Sequence, residues 1–280
     1  MDRPDHAERN TGTDPLSAFE GALRDRVPSR EMLLAEAKAQ TARQRRRKQA
    51  LGCGLSVLVL GVALWVGDPA WRSEYLRTVA GQRDDVKLAD GSQVVLNGAT
   101  HLRVEHRLRS RQIELVEGEA TFTVAHGSKP FIVRSQQAVV LDIGTVFNVR
   151  SDSRGVAVTV VEGEVEVSAP SAVPQRLVDG QRVLVRADEV GAPDRVDPAR
   201  VTAWQQGKLR FDGTPLSEVI VDIQRYRRAP LRLADQRLGA LRVSGEYDSV
   251  AIESLIDLLP VILPVRVVRT ADGDVIVSGR

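Results

Sequence analysis

The sequence predicts a single-pass membrane protein: a short α-helical cytoplasmic tail, one transmembrane helix, an all-β domain, then a small α+β domain. Three observations carry that expectation. Residues 50–67, ALGCGLSVLVLGVALWVG, hold no charge and no proline, and a helix of that length rises by roughly the thickness of a bilayer's hydrocarbon core. From residue 86 to 187, short β-branched runs recur with no helix-period stretch between them. The last 75 residues or so alternate strand and helix patterns.

The orientation of the expected span follows from its flanks. Arg43, Arg45, Arg46, Arg47 and Lys48 crowd one end, while Asp68, Pro69 and Trp71 follow the other. The positive-inside rule then keeps the N-terminus in the cytoplasm and sends the long C-terminal part across. A buried core helix would show a polar flank, and only Ser56 and Cys53 are polar here. A cleaved signal peptide is disfavoured because nearly fifty residues precede the run. A lipoprotein box would place its cysteine after the apolar run, and Cys53 stands at its start. As Cys53 is the single cysteine, no intramolecular disulfide forms. The pI of about 8.9 reflects mainly the 43–48 run and the aromatic content is only 4%, so neither charge nor stacking surface points to direct nucleic-acid binding.

Residues 1–49 open on a polar stretch and then on Asp14-Pro15, an N-cap with proline at the first helical position. Leu16, Phe19 and Leu23 follow at helix spacing. Val27-Pro28-Ser29 breaks the pattern, and Ser29 caps a second helix through Met32, Leu33 and Leu34. Two such short helices bury little by themselves, so their apolar stripe suits either a docking surface for a partner or a plain membrane-proximal tether. Residues 68–85 read as a linker, with Trp71 and Tyr75 suited to an interfacial belt.

The all-β domain is placed at 86–190. Runs 86–88 and 94–96 flank Asp90-Gly91, a hairpin signal, and nine further runs follow. Residues 113–124 and 158–169 repeat at an offset of 45 and share Val-Glu-Gly-Glu. The glycine in each suits a backbone angle closed to other residues. The glutamates are expected on solvent-facing turns rather than as paired catalytic carboxylates. A proline-bearing connection, 191–205, leads to the α+β domain at 206–280, in the order β-α-β, β-α-β-β with a hairpin at Asp272-Gly273. His6, His101, His106 and His126 are too scattered for a metal site, and no phosphate loop or Gly-x-Ser-x-Gly occurs. No metal, no cofactor and no turnover of a substrate are expected.

The series VKLADGSQVVLNGATHLRVE (86–105), RQIELVEGEATFTVAH (111–126), LDIGTVFNVR (141–150), VTVVEGEVEVSA (158–169) and VDPARVTAWQQGKLRFDGTPLSEVIVDIQRYRRAPLRLAD (196–235) resembles the FecR family of single-pass anti-sigma factors, the cell-surface signalling regulators. The likeness covers about 195 residues in the family's order. It implies an inner-membrane protein with its C-terminal region in the periplasm, and a last domain similar to the short N-terminal domain of secretins and TonB-dependent receptors. It implies two partners: the signalling domain of a TonB-dependent outer-membrane receptor loaded with an iron-siderophore or haem complex, and an extracytoplasmic-function sigma factor in the cytoplasm. The tail lacks the tryptophan-containing helical domain usual in the family, so the sigma contact is assigned to Leu16, Phe19, Leu23, Leu33 and Leu34. Some members are cleaved at a Gly-Thr bond, and Gly144-Thr145 stands in the matching context. Self-cleavage there is the one chemical expectation, against a plain structural role for the pair. If signalling runs through regulated proteolysis, an intramembrane protease is a third partner. An envelope scaffold or secretion accessory protein is the alternative reading.

Overall fold

The computed structural model describes residues 30–280, in two compact units, one ending at Gly67 and one running from Asp68 to Arg280. In the first, the described residues form a single 38-residue helix, α1 (Arg30–Gly67). The second tail helix and the stretch 50–67 are thus one element. The transmembrane helix is corrected: among the described residues, no helix is long and apolar enough to cross a membrane. The stretch after residue 50 is the end of a 38-residue helix that also carries Arg30, Glu31, Lys38 and Lys48 and is not apolar over its whole length. The described chain is mostly β-sheet.

The second unit starts with β1 (Ala70–Arg77), inside the stretch assigned to a linker. There follow β2 (Asp84–Lys87), β3 (Gln93–Leu96), β4 (His101–Arg107), β5 (Arg111–Thr123), β6 (Phe131–Ser135), β7 (Ala138–Asp142), β8 (Val146–Asp152), β9 (Gly155–Glu162), β10 (Glu164–Ser168), β11 (Gln175–Val178) and β12 (Gln181–Arg186). Two-residue strands β13 (Glu189–Val190) and β14 (Asp194–Arg195) pair with β12. One sheet runs β1-β4-β5-β6-β7-β10-β11. The other runs β2-β3-β5-β8-β9-β12. Every pairing in them is antiparallel except β5 with β6.

Strand β5 belongs to both sheets because it bends at Gly118, whose φ is +101°. A Cβ there would stand 2.5 Å from Thr100 Cα, so no other residue fits. Gly163, φ +88°, separates β9 in the second sheet from β10 in the first. The Val-Glu-Gly-Glu repeat therefore marks the two points where the chain crosses between sheets. Alternation does the rest. Val165 and Val167 of β10 are fully buried while Glu164, Glu166 and Ser168 lie half-buried on the outer face. At the centre Phe122 stacks on Phe147 with ring centroids 5.2 Å apart and meets Phe131 edge-on at 6.1 Å.

After β14, Asp197 caps the short helix α2 (Pro198–Val201), its side chain accepting from Ala199 N at 3.0 Å. A 3-10 turn, Ala203–Gln206, buries Trp204. The C-terminal part comprises β15 (Lys208–Pro215), α3 (Leu216–Gln224), β16 (Leu231–Leu233), β17 (Arg242–Asp248), α4 (Ile252–Ile262), β18 (Val265–Arg269) and β19 (Val275–Gly279). Strands β15 and β17 form one ribbon, and β16-β19-β18 a second sheet. Leu216, Val219, Ile220 and Ile223 line one face of α3, and Ile252, Leu255, Ile256 and Leu259 one face of α4. These faces build a core of their own, separate from that of the sandwich.

Candidate functional site

Two places in the second unit gather chemistry. The first is the connection between β7 and β8. Gly144 has φ +114°, open to glycine and unfavourable to other residues. Thr145, only 6% exposed, donates its hydroxyl proton in a short hydrogen bond to Asp142 Oδ1. The Thr145 carbonyl accepts from Val124 N at 3.1 Å, and Ile143 N donates to the Glu164 carbonyl at 3.1 Å, so the turn is tied to three strands. His126 Nε2 lies 3.9 Å from where a Cβ on Gly144 would stand. A carboxylate accepting the proton of a threonine hydroxyl is the arrangement that turns that oxygen into a nucleophile. The family resemblance picked out Gly144 and Thr145 but gave Asp142 and His126 no part in this turn.

The second place is the joint between the sandwich and the C-terminal part, and its residues went unread in the sequence. Glu119, expected on a solvent-facing turn, is 7% exposed. The reason is its position one residue past the Gly118 bend. There Oε2 accepts from Asn97 Nδ2 and Oε1 from Asn148 Nδ2, each at 2.9 Å. Arg225, just past the end of α3 and 6% exposed, brings Nε to 4.0 Å from Glu119 and Nη2 to 3.6 Å from Asp152. The Tyr226 hydroxyl donates to Asn97 Oδ1 at 2.8 Å. Burial, with the Glu119 and Asp222 charges adding to it, holds the Tyr226 phenol above its ordinary value. Arg150 and Arg154 of the sandwich reach Asp222 and Glu218 of α3 at 3.4 and 3.1 Å. Burial alone would raise the Asp152 carboxyl, but hydrogen bonds from Arg154 and the charges of Arg154 and Arg150 outweigh it and hold Asp152 below its usual value. One backbone and one side-chain contact complete the docking. Gly81 N donates to the Arg225 carbonyl at 2.9 Å, and Gln205 Nε2 donates to Thr121 Oγ1 at 2.7 Å. The arrangement ties the C-terminal part to the sandwich through charge and hydrogen bonds, with Val95 packed against the C-terminal core beside them.

Of the expected sigma-binding residues, Leu33 and Leu34 lie on α1, 50% and 52% exposed. Leu16, Phe19 and Leu23 fall outside the described residues. Lys48 is exposed on the same helix, while the side chains of Arg43, Arg45, Arg46 and Arg47 fall outside those described. Among the described residues no group of His, Cys, Asp and Glu is set to hold a metal.

The comparisons with known proteins bear on this geometry. The FecR protein family model matches residues 74–166. A 2.50 Å crystal structure of a candidate anti-sigma factor from Parabacteroides distasonis is 31% identical, with a TM-score of 0.66, covering 75% of this chain and 100% of that one. A 1.65 Å structure, also of a candidate anti-sigma factor from Parabacteroides distasonis, matches at 31% identity and a TM-score of 0.66 over 74% and 99%. Among curated proteins, none matches the chain.

Proposed function

The chain belongs to the FecR family of anti-sigma factors, and from that premise we propose that it relays a signal from the signalling domain of a TonB-dependent outer-membrane receptor to an extracytoplasmic-function sigma factor. The observation that carries this reading is the 31% identity to a candidate anti-sigma factor over three quarters of the chain. The C-terminal part receives the signal, and the N-terminal unit holds the sigma factor through the apolar side chains Leu16, Phe19, Leu23, Leu33 and Leu34. Exposure of Leu33 and Leu34 along one helix suits that role, since leucines left bare to water gain by docking on a partner. The test expresses the full chain with a panel of extracytoplasmic-function sigma factors and reads each promoter. One promoter responds to the chain, and replacing Leu33 and Leu34 together with Asp reduces that response by about tenfold or more, as loss of two apolar anchors does. A response untouched by the double substitution removes these residues from the contact.

A second reading rests on the hydrogen bond from Thr145 to Asp142. We propose that the chain cleaves itself between Gly144 and Thr145. The Thr145 oxygen attacks the Gly144 carbonyl carbon as its proton passes to Asp142, the Gly144–Thr145 C–N bond breaks, and the freed nitrogen takes up that proton. Water then hydrolyses the ester to leave a carboxyl on Gly144 and the hydroxyl on Thr145. Mass measurement of the purified full chain reads the outcome: two pieces from the native chain and one from Thr145→Ala. A single uncleaved mass for the native chain overturns it.

A further inference from the structure

We propose that the cavity at the joint between the sandwich and the C-terminal part binds a small oxyanion of the size and charge of phosphate or sulfate, gripped by Arg225 and Trp204. The cavity measures about 120 Å³ and is lined from both sides, by Glu119, Asn148 and Arg150 of the sandwich and by Trp204, Arg225 and Tyr226 beyond it. A single water needs only about 10–15 Å³ of such space, so a ligand of several atoms fits.

The polar atoms left over in this cavity are of one kind. Arg225 is 6% exposed and Trp204 5%. Among the described residues, Arg225 Nε, Arg225 Nη2 and Trp204 Nε1 meet no hydrogen-bond partner. Guanidinium and indole nitrogens only donate, and a buried donor without an acceptor is costly. The missing group is therefore an acceptor. The acceptors nearby already take hydrogen bonds: both Glu119 oxygens from Asn97 and Asn148, both Asp152 oxygens from Arg154, and Asn97 Oδ1 from Tyr226 and Gly98 N. A water would have to place two protons of its own, whereas sulfate brings none and phosphate at neutral pH keeps at least two oxygens free to accept. Arg150, Arg182, Arg200, Lys208, Arg210 and Arg225 line the cavity against Glu119, Glu218 and Asp222. Each of these cations also faces a carboxylate: Arg150 meets Asp222, Arg182 Asp194, Arg200 Asp212, Lys208 Asp248, Arg210 Glu246, and Arg225 both Glu119 and Asp152.

Because the ligand touches both sides, it binds the closed joint and stabilises it by mass action. The test follows thermal unfolding of the purified full chain at neutral pH in inorganic phosphate, in sulfate, and in chloride at the same ionic strength. Phosphate and sulfate raise the midpoint by roughly 5 °C on saturation and chloride does not. Trp204→Phe keeps the ring and deletes only the N–H, and it weakens the apparent affinity by about tenfold, one hydrogen bond's worth. Arg225→Gln abolishes the rise. Two results overturn the proposal. If no oxyanion-specific rise occurs, the cavity holds water alone; if the rise is equal in Trp204→Phe and Arg225→Gln, the anion sits elsewhere.

Discussion

The interior of the sandwich and the joint beside it are built on opposite principles. The interior is dry: Leu96, Leu115, Phe122, Phe147, Val158 and Val165 are each fully buried, and contact there is non-directional. The joint is made of Glu119, Asp152, Arg150, Arg154, Arg225 and Tyr226, each dependent on a partner of the right sign and geometry. A dry core tolerates change of residue but not of volume. A charged joint is sensitive to pH and ligands. Phe122→Ala should give the largest effect, about 3–5 kcal/mol off the unfolding free energy, because its two ring neighbours cannot collapse into the hole. Denaturant unfolding measures it. A loss under about 1 kcal/mol would mean that the interior repacks like a surface.

Gly98→Ala separates the two regions. A Cβ at that position would clash with the Arg225 carbonyl oxygen and stand 2.9 Å from Gly81 N, while touching neither core. The expected cost is about 1–3 kcal/mol, the usual range for forcing atoms into a packed contact. It should appear as faster proteolysis of the stretch after β14, with the sandwich intact. Loss of the sandwich together with the joint would show the two to be one cooperative structure.

How much was legible follows from the same contrast. Alternation in Val165-Glu166-Val167 and the hairpin signal at Asp90-Gly91 are local, and the strands lie where they indicate. The helix faces of α3 and α4 are equally local. The joint is not: Asn97 and Tyr226, or Thr121 and Gln205, are far apart in the chain, and no periodicity links them. Glu119 was misjudged for that reason, since its burial depends on two asparagines brought in by other strands. Strand β1 was missed because its Trp71 and Tyr75 are exposed and only Leu76 packs on the core. Over 50–67 the apolar pattern was plain, but the described residues contain no helix long and apolar enough to cross a membrane. At the β7–β8 turn, Gly144-Thr145 was visible as a pair, while His126 approaches only through folding.

Acid tests the joint next. The Asp152 carboxyl is held below its usual value in the folded chain. A depressed carboxylate contributes stability that is present above its unfolded value, about 3.9, and is lost as pH falls through the folded one. Melting points taken from pH 6 down to pH 2 should therefore converge between the native chain and Asp152→Asn. A gap that stays constant over that window would remove Asp152 from the charge balance of the joint.

The smallest effect is expected where the same chemistry meets water. Arg176 and Glu164 pair at 2.8 Å across β10 and β11, with side chains 64% and 30% exposed. Arg154 and Asp152 pair at 2.7 Å with side chains 20% and 10% exposed. The distances are alike and the surroundings are not. Solvent screens the outer pair and its long side chains lose freedom to form it, so Arg176→Ala should change stability by about 0–1 kcal/mol, shrinking further in high salt. Arg154→Ala leaves Asp152 near Arg225 and Arg150 and keeps the backbone N–H bond to it, but takes away the two guanidinium hydrogen bonds, and it should cost more at every salt concentration. Parallel denaturant titrations of the two variants at low and high salt decide it. Equal losses would mean that burial does not set the strength of these pairs and would dissolve the contrast between joint and surface.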